Sequence, residues 1–151
     1  SKLTSLSLPT VNKVVDDLVQ NERIKIADGS FSAGIGRKAQ YYVVNENAGD
    51  ILVLLFVNDF FVCAVVNAAG EMLYRNAVPV DTTDQRAALE STFHAVDHLM
   101  DHSSNARAIG IGVPGVVNSD DTLSDIPSIS SWEGLNLKQE IEKKYKISTF
   151  V

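Results

Sequence analysis

A run of apolar residues long enough to cross a bilayer is missing from this 151-residue chain. The densest stretch, ILVLLFVNDFFVCAVV at 51–66, sets fourteen apolar residues around Asn58 and Asp59. It falls short of the roughly 20 residues a spanning helix needs, and a central Asp costs about 3 kcal/mol on insertion scales. No membrane partner is expected. Cysteine is nearly absent: Cys63 alone excludes an internal disulfide and, inside the apolar stretch, reads as a buried thiol in a reducing compartment. The N-terminus lacks the basic start and apolar centre of a secretory signal, so a cytoplasmic location is expected. Low-complexity runs and internal repeats are also missing, and 45% apolar residues are enough to build a core.

Positive charge is scarce, but it is concentrated. The net charge is −6, yet residues 1–45 carry six bases against four acids, while the remainder carries seven against fifteen. A mildly basic head on an acidic body implies two domains with different partners.

In the head, SLPTVNKVVDDLVQ at 7–20 reads as one helix. Ser7 suits the N-cap and Pro9 the first turn, while Val11, Val14, Val15 and Leu18 form a single apolar face. Thr10, Asn12 and Lys13 project elsewhere, near the N-terminal end. A short strand at 23–26, a Gly/Ser-rich turn at 27–36 and a returning strand at 37–44 follow. Helix, then a two-stranded wing with adjacent bases Arg37 and Lys38, is the pattern of a winged helix-turn-helix. Gly34 and Gly36 let the wing backbone approach a partner closely.

The body reads as strands at 51–57 and 60–67, a turn at Asn67–Gly70 and a strand near 71–80. Near-continuous apolarity in the first two predicts a sheet covered on both faces. A helix at 84–103 has the stripe Leu89, Phe93, Val96 and Met100. A buried strand at 108–113 runs into Pro114-Gly115, an amphipathic helix spans 136–146, and a strand starts at 147. This order is α/β, antiparallel at first and parallel later. His94, His98 and His102 recur at every fourth position, but on the helix side expected to face water; a metal would want ligands from elsewhere.

Three segments together resemble one family. LSLPTVNKVVDDL with the GIGRK wing, NAAGEML after the first strand pair, and GIGVPGVVN followed by Trp132 are similar to the ROK family of sugar-responsive bacterial repressors and sugar kinases. The resemblance implies a partial winged helix-turn-helix head over 1–46, with Ser1–Thr4 as the end of a preceding helix. It also implies the N-terminal half of an actin-like body over 50–151. The family's kinases lack the head.

The kinases place an Asp-x-Gly-Gly-Thr-like segment between the first two strands; here 55–59 reads Leu-Phe-Val-Asn-Asp, with no glycine to admit phosphate to the backbone. The resemblance therefore implies a DNA-binding repressor, with a sugar kinase and a protein-binding sugar sensor as the alternatives. Duplex DNA is expected at Thr10, Asn12, Lys13, Gly36, Arg37 and Lys38. A monosaccharide is expected at Gly115, Val116 and Ser128, with Trp132 either stacking on it or anchoring the core. A homodimer or higher homo-oligomer is expected, with no catalytic residue and no cofactor in 1–151; the family's zinc site would lie beyond Val151.

Overall fold

The computed structural model describes residues 5–27, 40–126 and 129–151. It divides into two compact units, Ser1–Ala48 and Gly49–Val151.

The smaller unit opens with α1 (Leu8–Gln20). Ser7, in extended backbone, caps it: its hydroxyl accepts the Thr10 N–H at 3.3 Å, and the proline sits in the first turn, where no N–H is needed. Val11, Val15 and Leu18 are half-buried, whereas Val14 of the same stripe is exposed. The chain then forms β1 (Ile24–Ile26), antiparallel to β2 (Tyr42–Val44) with Ile24 opposite Val44. The Arg23 N–H donates to Leu18 O at 2.8 Å and the Asn45 N–H to Arg23 O at 3.0 Å, tying helix to hairpin. The returning strand expected over 37–44 is strand only from Tyr42 among the described residues; the tip, with Gly34, Gly36, Arg37 and Lys38, lies outside them.

The larger unit is built on a five-stranded sheet ordered β5-β4-β3-β6-β9. Strands β3 (Asp50–Val57), β4 (Phe60–Asn67) and β5 (Met72–Pro79) form an antiparallel meander. Asn58 makes the first hairpin turn at φ 55, a left-handed conformation that Asn tolerates. Helix α2 (Gln85–Met100) leads to β6 (Ala106–Gly112), parallel to β3, and α3 (Leu137–Tyr145) leads to β9 (Ser148–Phe150), parallel to β6. Both crossovers advance the same way along the sheet, so right-handed connections put both helices on one face. There Leu52, Leu54, Phe61, Cys63 and Val65 meet Ala95, Val96, Leu99 and Ile141.

That placement corrects two expectations. The sheet is covered on one face only among the described residues: Ile51, Leu55, Val57, Phe60 and Phe150 point away from the helices and remain exposed. Burial, not polarity, alternates along β3, which has one buried apolar face and one largely exposed apolar face. In α2 the buried side is Ala88, Thr92, Ala95, Val96 and Leu99, with Leu89 and Phe93 half-buried and Met100 36% exposed. The real stripe is turned from the expected one because the small Ala88 and Ala95 let the helix lie close to the sheet. Thr92 can join them because its hydroxyl donates to Ala88 O at 2.8 Å.

Candidate functional site

Parallel strands β3 and β6 end side by side, and ligands of open α/β sheets gather beyond such carboxyl ends. Beyond β6 the chain passes Pro114-Gly115 into a hairpin that the sequence pattern did not reveal, β7 (Val116–Val117) with β8 (Leu123–Ser124). Gly115 is required by packing: a Cβ there would lie 2.5 Å from Ile126 Cγ1 and 3.0 Å from Ser124 O. The turn is therefore clamped onto β8 and its extension. Val116 is exposed at the start of β7. Ser128 lies outside the described residues.

Leu55 and Gly112 occupy the adjoining ends of the same two strands. A Cβ on Gly112 would meet Leu55 Cδ1 at 2.6 Å, so the Leu55 side chain fills the space over the glycine.

Trp132 closes the short 3-10 turn Ser130–Trp132 and is fully buried, with no face open to a sugar. Its ring lies 5.2 Å from Phe56 and 6.0 Å from Phe61, centroid to centroid, beneath the β3–β4 turn. The hairpin tip is a polar network. Thr122 donates to Asp120 through its hydroxyl at 2.6 Å and its N–H at 3.1 Å, holding that carboxyl below its usual range. A recess of about 280 Å³ beside it is lined by Asp121, Asn136, Lys138, Gln139 and Glu142. Among the described residues its lining includes none of the expected site residues, and its groups are engaged: Lys138 pairs with Asp121 at 2.8 Å and Glu142 accepts the Thr149 N–H at 2.9 Å.

The histidines keep largely to the expected side: His94 and His102 are exposed and His98 is half-buried. The Tyr74 hydroxyl is 2.8 Å from His98 Nε2, and the His102 ring stacks on Tyr74 at 3.7 Å. Among the described residues no group of three His, Cys, Asp or Glu is placed to hold a metal ion, and no helix is long and apolar enough to cross a membrane.

In the head, Thr10, Asn12 and Lys13 are all exposed, on the half of α1 opposite Val11, Val15 and Leu18. The Thr10 hydroxyl lies 2.8 Å from Ser7 Oγ, which fixes its position at the cap. Helix N-termini carry partial positive charge and free N–H groups suited to phosphate. Asp16 and Asp17 follow on the same half, so an anionic partner is favoured only along the first turns.

The sequence profile of the ROK family matches residues 58–151. The xylose repressor of Bacillus subtilis strain 168 is 25% identical over 158 residues, covering all of this chain and 40% of the relative. That of Caldicellulosiruptor bescii is 21% identical over 156 residues, covering 100% of the chain and 39% of the relative. The chain thus spans about two-fifths of the length of these relatives. Among solved structures, a ROK family transcriptional regulator homologous to the Escherichia coli MLC protein superimposes with a TM-score of 0.79 at 21% identity. It covers 100% of this chain and 39% of its own. A ROK glucokinase of Streptomyces griseus, in complex with glucose and AMPPNP, gives 0.61 at 21% identity, over 68% of this chain and 32% of its own. The fold is therefore the mixed α/β fold that the regulator and the kinases share.

Proposed function

The chain belongs to the ROK family, and from that premise we propose that the whole protein is a sugar-responsive transcriptional repressor. The reading is carried by coverage. The regulator and the xylose repressors match the entire chain, head included, whereas the glucokinase matches 68% of it. Thr10, Asn12 and Lys13 then meet bases or nearby phosphates of duplex DNA from the first turns of α1. Gly36, Arg37 and Lys38 serve the wing, where Arg37 neutralises phosphate. The body takes a monosaccharide at the Gly115–Val116 turn and Ser128, the names of the relatives making xylose the first candidate.

A repressor works here only if the sugar favours one state of the protein over another. Phosphoryl transfer is opposed by Leu55, which lies against Gly112 where a kinase would need an open phosphate-binding backbone. A homo-oligomer reading a two-fold-related operator is part of the same proposal.

The test is to follow operator affinity of the full-length protein while titrating D-xylose and other monosaccharides. Binding should weaken steeply with salt, because each neutralised phosphate releases counterions. It should also shift at least several-fold with one sugar. Gly115→Val should abolish that shift, since its side chain enters the space of Ile126 Cγ1. Operator affinity indifferent to every sugar, or sugar phosphate formed from ATP in a coupled assay, defeats the reading.

A further inference from the structure

Trp132 carries a buried polar atom that no described residue pairs with. The residue is fully buried, and its Nε1 is a buried side-chain nitrogen with no hydrogen-bond partner among the described residues. An unpaired buried N–H is costly, so native structures seldom keep one without a purpose such as strain to be relieved in another state.

The segment around it connects Trp132 to the proposed sugar turn by direct contacts. Gly115 packs against Ser124 O and Ile126. The Ile129 N–H donates to Ile126 O at 3.1 Å and the Trp132 N–H to Ile129 O at 3.0 Å. On the return, the Gly134 N–H donates to Leu123 O at 2.9 Å and the Leu123 N–H to Leu135 O at 3.0 Å. Among the described residues, contacts thus run from the Gly115 turn through Ile126 and Ile129 to the Trp132 backbone. The Ser131 hydroxyl, donating to Thr82 O at 3.1 Å, holds the far side of that loop to the chain just before α2.

We propose that Trp132 is a positioning residue of the sugar response, whose indole N–H gains an oxygen acceptor when a sugar occupies the Gly115 turn. The inference rests on the sugar-responsive reading and deepens it. The sugar-free arrangement bears the unpaired N–H; the sugar-bound arrangement relieves it. That difference is a free energy the ligand can draw on to favour one state. A residue that only anchored the core would behave differently. It would respond to loss of ring volume, not to loss of the N–H, and equally with and without sugar.

The experiment uses the full-length protein with indole-15N tryptophan, with Trp132→Phe to assign the resonance and to remove the N–H while keeping an aromatic ring. Saturating D-xylose, or whichever monosaccharide shifts operator affinity, should move the Trp132 indole proton downfield and slow its exchange with water. Trp132→Phe should weaken sugar binding about 3- to 10-fold, the worth of one neutral hydrogen bond, and leave sugar-free operator affinity unchanged. An indole resonance unmoved at saturation overturns the inference even if the variant fails to fold. So does a Phe variant that binds sugar like the wild type or loses sugar-free operator affinity in parallel. If the wild type binds no sugar by calorimetry, the underlying reading fails first, and this inference with it.

Discussion

At the scale of single residues, Cys63 shows how burial becomes pH dependence. Its thiol is fully buried on β4 and its S–H is directed at Phe61 O, 3.6 Å away. Burial pushes its pKa up from 9.0 to about 11. A raised folded-state value means the folded chain holds its proton more tightly. The associated stability is complete below pH 9 and is lost as pH rises toward 11. Between pH 8 and pH 10 the loss should be about 1 kcal/mol. Tyr145, also raised by burial and then by its bond to Asp97, adds to it only at the upper end. Urea midpoints at the two pH values should therefore converge in Cys63→Val, and the wild-type thiol should resist modification at neutral pH. This burial was legible in the sequence, because a lone Cys between Val62 and Ala64 has no partner to reach. The roles of Gly112 and Gly115 were not legible. Each is dictated by a neighbour distant in sequence, Leu55 in one case and Ile126 in the other.

At the scale of elements, caps and apolar runs were readable, and rotations were not. Ser7 and Pro9 mark the start of α1, and Asp84 caps α2 by accepting the Ala87 N–H at 2.8 Å. The side of α2 that is buried depends on Ala88, Thr92 and Ala95, which a hydrophobicity pattern ranks below Phe93 and Met100. The β7–β8 hairpin escaped because its paired stretches are two residues each, too short for any periodicity to register. The end of α3 yields a quantitative expectation. Lys146 terminates the helix at φ 57, its N–H donating to Glu142 O at 3.0 Å, in the left-handed position that glycine fills without a Cβ penalty. The side chain is exposed, so little else is lost on removal. Lys146→Gly should stabilise the body by about 0.5–1 kcal/mol, offset in part by glycine's unfolded-state entropy. Thermal melts of the two chains compare this directly, and a lower melting temperature for the glycine variant would contradict the backbone argument.

At the scale of the whole molecule, the two crossovers that gather α2 and α3 on one face leave the other face of the sheet as the largest unresolved term. Along β3, every residue that points away from the core is apolar: Ile51, Val53, Leu55 and Val57. Phe60 and Val62 continue the surface on β4, Ala108 and Gly110 on β6, and Phe150 on β9. Among the described residues no atom beyond its chain neighbours lies within 4 Å of where a Gly110 Cβ would stand, so the middle of this face is a shallow floor between larger flanks. Contiguous apolar surface of this kind drives association in water. The acidic surplus of the body works against it, because like charges repel at low salt and are screened at high salt. Raising salt screens the repulsion and leaves the apolar attraction in place, so association should grow with salt. If the open face dominates, the 151-residue chain on its own should self-associate more as salt rises and bind an apolar dye such as anilinonaphthalene sulfonate while fully folded. Replacing Ile51, Val57 and Phe60 together by threonine puts a β-branched, strand-compatible residue at each position. It also removes apolar area at exposed positions, where each substitution should change stability by about 0.5 kcal/mol or less. Sedimentation velocity across a concentration series should then show the triple variant as a monomer at concentrations where the parent chain associates. A parent chain that stays monomeric at high salt, with no dye bound, would mean that this face does not behave as an open apolar surface in solution.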